Sequence, residues 1–297
     1  DRFGKRILFH ARADHRVIGI TAAMAEGTGL SVLAHEFPDR LIDVGIAEPH
    51  AITFAAGLAA GGKKPVVAIY STFLQRAIDG LIHDVGIQNL PVTIGVDRAG
   101  LVGQDGATHH GQFDLNYLLM IPGFTVYAPS SFKELDECID RSLLAQGPAA
   151  IRYPRGTGRE QMTGFETLEL SRVINPQQPT AIVVALGPIL ERTREALALL
   201  GARGINIALW STAIAKPISE KLLTALREQP GVPVVTLEEG AVPGGFGSRL
   251  RAQAGNRDFH EWGYPDRFIE HATPEEQDFE VELTAPQLVK RLLDILP

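Results

Sequence analysis

Residues 41–61, LIDVGIAEPHAITFAAGLAAG, decide the fold class of this chain. The apolar run 41–46 predicts a β-strand, and the alanine-rich run 49–61 predicts a helix that follows it at once. Pro49 suits the first turn of that helix because the N–H that proline lacks has no partner there, and the glycine pair at 61 and 62 suits its end. A strand that leads directly into a helix is the unit from which parallel sheets with crossover helices are built.

The same alternation of short β-branched runs and longer helical runs continues along the chain. In the first half, further strands are predicted at 17–21, 65–71, 92–96, 125–128 and 150–153, and further helices at 72–89 and 131–146. In the second half, strands are predicted at 181–186, 207–210 and 234–238, with helices at 189–203, at 218–228, from 244 onward and at 286–295. We therefore predict an α/β fold of two successive domains with mostly parallel sheets flanked by helices.

A stretch rich in Gly, Thr, Gln and Pro separates the two series. We place the first domain at 17–158, an interdomain linker at 159–179 and the second domain at 180–297. Residues 1–16 are rich in Arg and Lys, and we expect them to be a solvated leader or linker remnant.

Composition excludes several classes of protein. The 297 residues include 28 Lys and Arg against 35 Asp and Glu, a net charge of −7, which argues against a general binder of nucleic acid or of anionic membranes. No apolar run reaches the length of about 18 residues that a membrane span needs, so we expect a cytoplasmic protein. The single cysteine, Cys138, allows no intramolecular disulfide, and its helical context indicates a buried apolar role.

Glu48 is the first candidate site residue. It follows the strand 41–46 and opens the next helix, in the crevice where open α/β sheets place their ligands. The alternative is an ordinary first-turn glutamate, which the helix dipole favours. The spacing alone does not separate the two interpretations.

The loop 97–111, DRAGLVGQDGATHHG, is the most informative segment for function. It follows a predicted strand and contains four glycines together with Asp105, His109 and His110. So many glycines cost conformational entropy, which indicates that the backbone approaches a ligand closely. The histidines suit proton transfer near neutral pH. Metal binding is the competing interpretation, but no further ligands have suitable spacing, and we predict no metal site in this chain.

Aromatic and basic residues mark the ends of two further predicted strands. Tyr70, Phe73 and Arg76 lie where one strand passes into a helix, and Arg155 follows another strand. Taken singly, Phe73 could be core and Arg76 a solvated helix residue. Arg76, Arg98 and Arg155 would together suit a small phosphorylated substrate in this acidic protein, because guanidinium groups pair bidentately with phosphate.

At these sites together, the sequence resembles the 1-deoxy-D-xylulose-5-phosphate synthases, a family of transketolase-like thiamine-diphosphate enzymes. The resemblance rests on residues 20–24, 43–48, 70–76, 97–111 and 153–156, with VTLEEGA and GGFG in the second domain. YSTFLQRA and DRAG-VG-DGATH are strings typical of the synthases. The resemblance implies a thiamine-diphosphate pyrimidine-binding domain followed by a transketolase C-terminal-like domain.

The resemblance also implies roles for individual residues. Glu48 matches the glutamate that hydrogen-bonds the pyrimidine ring of the cofactor, Phe73 the aromatic residue that stacks on that ring, and Met24 a further cofactor contact. Asp105 and His109 match the polar pair over the reacting centre.

The substrate contacts follow in the same way. Tyr70, Arg98 and Arg155 match residues around the acceptor substrate, with Arg76 nearby. The implied reaction is decarboxylation of pyruvate and transfer of the two-carbon unit to D-glyceraldehyde 3-phosphate, on a route to isoprenoids and thiamine. Members of this family are dimers, so the resemblance also implies that the protein forms a homodimer.

One part of the family pattern is absent. The Gly-Asp-Gly motif that holds Mg²⁺ against the cofactor's diphosphate does not occur in the sequence. We expect a missing diphosphate-binding half or subunit to supply it. Three alternatives remain: a beta-type subunit of a 2-oxo-acid dehydrogenase complex, a transketolase-like half enzyme, and a non-catalytic subunit that keeps the fold. In the second domain, Gly244–Gly247 indicates close helix–sheet packing or a dimer contact, since its spacing is not that of a dinucleotide site.

Overall fold

A computed structural model describes residues 1–296 and contains two sheets, one built around each half of the chain. The strands are β1 (Val17–Thr21), β2 (Leu41–Asp43), β3 (Lys64–Tyr70), β4 (Thr93–Asp97), β5 (Thr125–Tyr127), β6 (Ala149–Arg152), β7 (Ser171–Ile174), β8 (Ala181–Leu186), β9 (Ile207–Thr212), β10 (Ile214–Lys216), β11 (Val234–Ala241) and β12 (Phe259–Tyr264). The helices are α1 (Arg2–Ala13), α2 (Ser31–Glu36), α3 (Glu48–Ala60), α4 (Ser71–Leu74), α5 (Ile78–Gly80), α6 (Asp114–Met120), α7 (Phe132–Leu144), α8 (Ile189–Gly201), α9 (Glu220–Arg227), α10 (Phe246–Gln253), α11 (Pro274–Glu280) and α12 (Ala285–Ile295).

The first sheet has the order β10-β5-β6-β4-β3-β1-β2, and the second has the order β12-β11-β8-β9-β7. All neighbours pair in parallel except the edge strands β10 and β7, which are antiparallel to β5 and β9. The predicted α/β fold with two mostly parallel sheets flanked by helices is confirmed.

The quoted stretch 41–61 folds as the sequence indicates. Strand β2 leads through a short turn into α3, which has Glu48 and Pro49 in its first turn and ends at Ala60. Gly62 has φ +80°, a conformation that favours glycine, where the chain leaves the helix for β3.

Residues 1–16 differ from the solvated remnant that we expected. They contain helix α1, in which Phe3, Ile7 and Ala11 are buried against the first sheet and α7. These residues recur at a helical spacing of four, so one face of α1 is apolar. Gly4 lies so close to the turn after β1 that a methyl group on it would stand 1.8 Å from the oxygen of Gly29. The basic residues lie on the remaining faces of the helix and had obscured this pattern.

Each sheet includes a strand from outside the bounds that were predicted for its domain. The stretch 159–179 contains β7, which forms an edge of the second sheet. Strand β10 comes from the second half and pairs with β5 of the first sheet. Lys216, at the end of β10, donates a hydrogen bond to the carbonyl of Leu119 (3.1 Å) and another to that of Ile121, beyond α6.

The predicted helix 72–89 is instead a broken helical run. It consists of α4, a 3-10 turn at Gln75–Ala77, the short α5 and a π-helical segment at Leu81–Gly86. Within the described residues 1–296, no helix is both long enough and apolar enough to cross a membrane.

Candidate active site

The candidate residues meet at the carboxyl edge of the first sheet. Glu48 follows β2, Tyr70 ends β3 and Arg98 follows β4. Tyr70 is the direct neighbour of Asp97 in the β3–β4 pairing. Because carboxyl ends of parallel strands share one edge, turns far apart in the sequence are brought side by side there.

Glu48 is buried, with 2% of its surface exposed, in the first turn of α3. Its Oε1 accepts a hydrogen bond of 2.8 Å from Nη1 of Arg76, whose side chain is half exposed. A glutamate in a first turn is favoured by the helix dipole, but full burial of a charged group is expensive unless it is paired. Burial beside a single arginine fits a functional site better than an ordinary surface glutamate.

Two aromatic rings connect this acid to the arginine of the loop after β4. The guanidinium of Arg76 lies 4.9 Å from the ring centre of Phe73. Phe73 stacks against Tyr70 with ring centres 5.9 Å apart, and Arg98 lies 4.0 Å from the ring centre of Tyr70. Arg76 is therefore beside Glu48 and is separated from Arg98 by both rings, whereas the sequence analysis grouped it with Arg98 and Arg155.

The loop 97–111 closes on itself at its base. The N–H of Gly100 donates to the oxygen of Gly111 (2.9 Å), and the N–H of Gly111 donates back (2.7 Å). A side chain at Gly111 would lie 2.4 Å from the oxygen of Arg98, so only glycine fits there. The loop thus needs its glycines for its own close packing as well as for any ligand.

Arg98 adopts φ +58°, which is strained for a residue with a side chain. Two contacts hold it: an ion pair of 2.9 Å with Asp97, and a hydrogen bond of 2.6 Å from its Nη1 to the oxygen of Gly27. Burial raises the pKa of Asp97, and the neighbouring Arg98 opposes this rise. Strained residues that persist in this way cluster at functional sites.

Asp105 and His109 have separate partners in the structure. Asp105 forms an exposed ion pair of 3.1 Å with Arg155. Nδ1 of His109 lies 2.9 Å from Oγ1 of Thr108, and its ring meets Phe73 edge-on with centres 5.5 Å apart. The structure therefore places His109 against the aromatic pair and Asp105 with the predicted phosphate-binding arginine.

His110 differs from the titrating group that the sequence suggested. It is 4% exposed, and burial lowers its pKa. The N–H of Val102 donates to its Nδ1 (3.1 Å), so the neutral ring carries its proton on Nε2. We assign His110 a structural role inside the loop.

A cavity of about 410 Å³ lies beside the strained arginine. Its lining includes Arg98, Arg155, Gly27, Ser130 and Tyr153. Helix α1 also contributes to its wall, a contact that the sequence analysis missed because it assigned no structure to that segment. Three arginines (Arg2, Arg98 and Arg155) and two aspartates (Asp1 and Asp97) are among the lining residues, and the volume suits a small ligand.

Met24 lies in the turns after β1 and is packed against the first core, as is Phe73. Its carbonyl accepts hydrogen bonds of 2.9 and 2.8 Å from the N–H and the hydroxyl of Thr28. These contacts fix the turn; no contact within residues 1–296 assigns the Met24 side chain to a ligand.

In the second half, the glycines of 244–247 serve close packing. A methyl group on Gly247 would lie 2.3 Å from Oγ1 of Thr236, so α10 packs directly on β11. The carboxylate of Glu238 accepts from the N–H groups of Phe246 (2.8 Å) and Gly247 (2.9 Å) at the start of this helix.

Comparison with known proteins identifies the family of both domains. The family model for the transketolase pyrimidine binding domain matches residues 3–161, and the model for the transketolase C-terminal domain matches residues 172–288. The 1-deoxy-D-xylulose-5-phosphate synthase of Synechococcus sp. (strain RCC307) is 44% identical over 98% of this chain and 47% of that protein. The synthase of Prochlorococcus marinus (strain MIT 9303) is 43% identical over 98% of this chain and 46% of its own.

Solved structures show the same architecture. A split gene transketolase, described as an inactive beta4 tetramer, has a TM-score of 0.83 and 26% identity, covering 99% of this chain and 96% of that one. The transketolase of Campylobacter jejuni has a TM-score of 0.86 at 16% identity, covering 99% of this chain and 46% of that one, and this shows the fold alone. The chain spans about half the length of the curated relatives it matches. It therefore belongs to the transketolase family, with a pyrimidine-binding domain and a C-terminal domain, and is similar to about half of a 1-deoxy-D-xylulose-5-phosphate synthase.

Proposed function

We propose that this chain is part of a thiamine-diphosphate enzyme that condenses pyruvate with D-glyceraldehyde 3-phosphate to form 1-deoxy-D-xylulose 5-phosphate and CO₂. The observation that carries the proposal is the buried carboxyl of Glu48, linked through Arg76 to the face of Phe73. The similarity to the synthases of Synechococcus and Prochlorococcus supports the choice of substrates.

The residues fit the pyrimidine half of the cofactor. Arg76 donates a hydrogen bond to Oε1 of Glu48, and no described residue bonds the other carboxyl oxygen, Oε2. Oε2 is therefore left for a ring nitrogen of the cofactor. Phe73 is partly exposed and offers an aromatic surface for a flat ring. Glu48 and Phe73 would hold the pyrimidine ring of thiamine diphosphate, and the bound cofactor would supply the nucleophilic carbon and the electron-accepting ring that decarboxylation of a 2-oxo acid needs.

The residues of this chain then act on protons and position. We propose that Glu48 holds a proton at the ring nitrogen, because its carboxyl group is kept from water and could hydrogen-bond a base bound beside it. His109, whose ring meets Phe73, is proposed to exchange a proton with the reacting carbonyl groups. Asp105 is the last residue of the 3-10 turn that begins at Gly103, and we propose it as the second polar group at this face.

The acceptor's phosphate is proposed to bind at the cavity beside Arg98. Arg98 and Arg155 both line it, and their guanidinium groups suit a phosphate dianion. Tyr70 stacks under Arg98 and so supports the guanidinium from the side of the ring. Arg155 now pairs with Asp105, and phosphate binding would exchange that exposed ion pair for a stronger one.

The diphosphate and Mg²⁺ require residues from outside this chain. We propose that a diphosphate-binding half, joined to this chain or separate from it, supplies the Gly-Asp-Gly motif absent from its sequence. Catalysis would then need both halves.

A comparison of three reactions tests the proposed function. The chain is assembled with a diphosphate-binding half, thiamine diphosphate and Mg²⁺, and is given pyruvate with D-glyceraldehyde 3-phosphate, pyruvate with lipoamide, or a ketose phosphate donor with an aldose phosphate. We expect 1-deoxy-D-xylulose 5-phosphate, identified by mass spectrometry, and CO₂ in equal amounts from the first reaction alone. Acetylated lipoamide would identify a 2-oxo-acid dehydrogenase subunit, and transfer from the ketose donor would identify a transketolase; either result in place of the first refutes the proposal.

A further inference from the structure

One side chain from the second half of the chain holds the loop 97–111 by hydrogen bonds. Gln277, in α11, is fully buried, and its partner Gly103 lies 174 residues earlier in the chain. Its Oε1 accepts a hydrogen bond of 2.9 Å from the N–H of Gly103, and its Nε2 donates one of 3.1 Å to the carbonyl of the same residue. Both backbone groups of one loop residue are thus satisfied by one amide.

The orientation of this amide is fixed by its surroundings. Nε2 also donates to the carbonyl of Glu270 (2.8 Å), so its two hydrogens are used on two carbonyls. Turning the amide over would set Oε1 against those carbonyls and Nε2 against the N–H of Gly103. Nε2 of His110, 3.2 Å from Nε2 of Gln277, carries the ring's proton because Nδ1 accepts from Val102, so it is not an acceptor for the amide.

Gly103 is the point at which the loop turns toward the candidate active site. It has φ +75° and is the first residue of the 3-10 turn Gly103–Asp105. The carbonyl of Gly106 then accepts from the N–H of His109 (2.9 Å). The positions of Asp105 and His109 therefore follow from the position of Gly103.

A second residue of the same half supports the loop at an earlier point. The hydroxyl of Tyr264, which is buried at the end of β12, accepts from the N–H of Leu101 at 3.2 Å. Arg98, at the start of the loop, is held instead by Asp97 and Gly27 of the first half. The start of the loop is thus held by the first half of the chain, and residues 101–103 are held by the second half.

We propose that Gln277 is a positioning residue: it fixes the turn that places Asp105 and His109, and so controls turnover more than acceptor binding. The kinetic part of this inference rests on the proposed function. The structural part does not, because the order of the loop can be measured without any substrate.

Gln277→Met tests the inference, since methionine keeps the length of the side chain and removes all its hydrogen bonds. Gln253→Met, at an exposed glutamine of α10, is the matched control. Hydrogen exchange on the chain should become about tenfold or more faster at residues 102–106 in Gln277→Met, while β8 keeps its protection. In the assembled enzyme, kcat should fall about tenfold or more, with KM for D-glyceraldehyde 3-phosphate within about threefold of wild type.

Wild-type exchange in the loop of a folded Gln277→Met would overturn the inference, and so would a raised KM with unchanged kcat. If β8 also loses protection, the variant has failed to fold, and the milder Gln277→Asn decides, because its shorter amide cannot keep both bonds to Gly103: exchange at residues 102–106 should accelerate and kcat should fall, and no change in either would refute the inference. If the assembled wild type forms no 1-deoxy-D-xylulose 5-phosphate, the proposed function fails, while the exchange experiment still judges the loop contact.

Discussion

The buried ion pair beneath the candidate active site gives the most quantitative prediction. Arg152 ends β6 and Asp114 begins α6, and their side chains are 2% and 0% exposed. Nε of Arg152 lies 3.1 Å from both carboxylate oxygens of Asp114, and its Nη2 donates to the carbonyl of Glu239 (2.7 Å) in the second half. The pair therefore joins the two halves under the loop.

Removing one member of this pair should cost far more than removing both. Asp114→Leu leaves a guanidinium buried without its counter-charge, and such a loss typically costs about 3–5 kcal/mol of unfolding free energy. Arg152→Met leaves the carboxylate in the same position and should cost a similar amount. The double variant leaves no unpaired charge, and apolar replacements of a buried pair are often nearly neutral, so its cost should be well below the sum of the single costs.

Urea unfolding followed by circular dichroism measures these differences. Arg12→Ala is the control, because Arg12 and Glu36 form a shorter contact of 2.6 Å with side chains 58% and 37% exposed. An exposed pair is worth about 0–1 kcal/mol, so the control should change stability little. If Asp114→Leu cost no more than Arg12→Ala, or if the double variant cost the sum of the two singles, the argument from burial would be refuted.

Three further predictions concern pH, packing and the acceptor. Burial raises the pKa of Glu238 to about 7 from an ordinary 4.5, so the folded state keeps a proton that the unfolded chain releases. The free energy of unfolding should therefore fall by roughly 3 kcal/mol as pH rises from 4.5 to 7. Urea unfolding across that range measures this loss, which should be absent in Glu238→Gln. Gly4→Ala should lower the melting temperature because its methyl group would clash with Gly29, whereas Gly57→Ala, at an open helical position, should be neutral or slightly stabilising; equal effects would show that α1 does not pack as described. Arg98→Ala should raise KM for the phosphorylated acceptor about tenfold or more with little change for pyruvate, and an unchanged acceptor KM would place the phosphate elsewhere.

Local signals predicted the parts of the fold that depend on neighbouring residues. The turn from β2 into α3 follows from an apolar run, a first-turn proline and a terminal glycine pair, and it placed Glu48 correctly at a helix start. The glycines of 97–111 indicated close approach of the backbone to a ligand; the structure shows close packing within the loop itself, and the ligand stays a prediction. These features are fixed by backbone preferences within a few residues.

Features that depend on distant residues could not be predicted in this way. Strand β10 pairs with the first sheet, and Gln277 hydrogen-bonds Gly103. Both contacts join positions far apart in the chain, and neither produces a periodic pattern in the sequence. The pairing of Arg76 with Glu48 depends on the broken helical run after β3, where the sequence indicated a regular helix. Helix α1 is a different case, because the spacing of its apolar residues was visible and its charge misled the interpretation.

The formation of 1-deoxy-D-xylulose 5-phosphate by the assembled enzyme, compared between wild type and variants of Glu48, tests the central claim most directly. Glu195→Ala, at an exposed glutamate of α8, serves as the control, and circular dichroism confirms that each variant is folded. Glu48→Ala and the same-sized Glu48→Gln should both lose turnover by a factor of roughly 10² or more while the control keeps the wild-type rate. Near wild-type turnover in a folded Glu48 variant would contradict the account, because no acid at this position would then be needed.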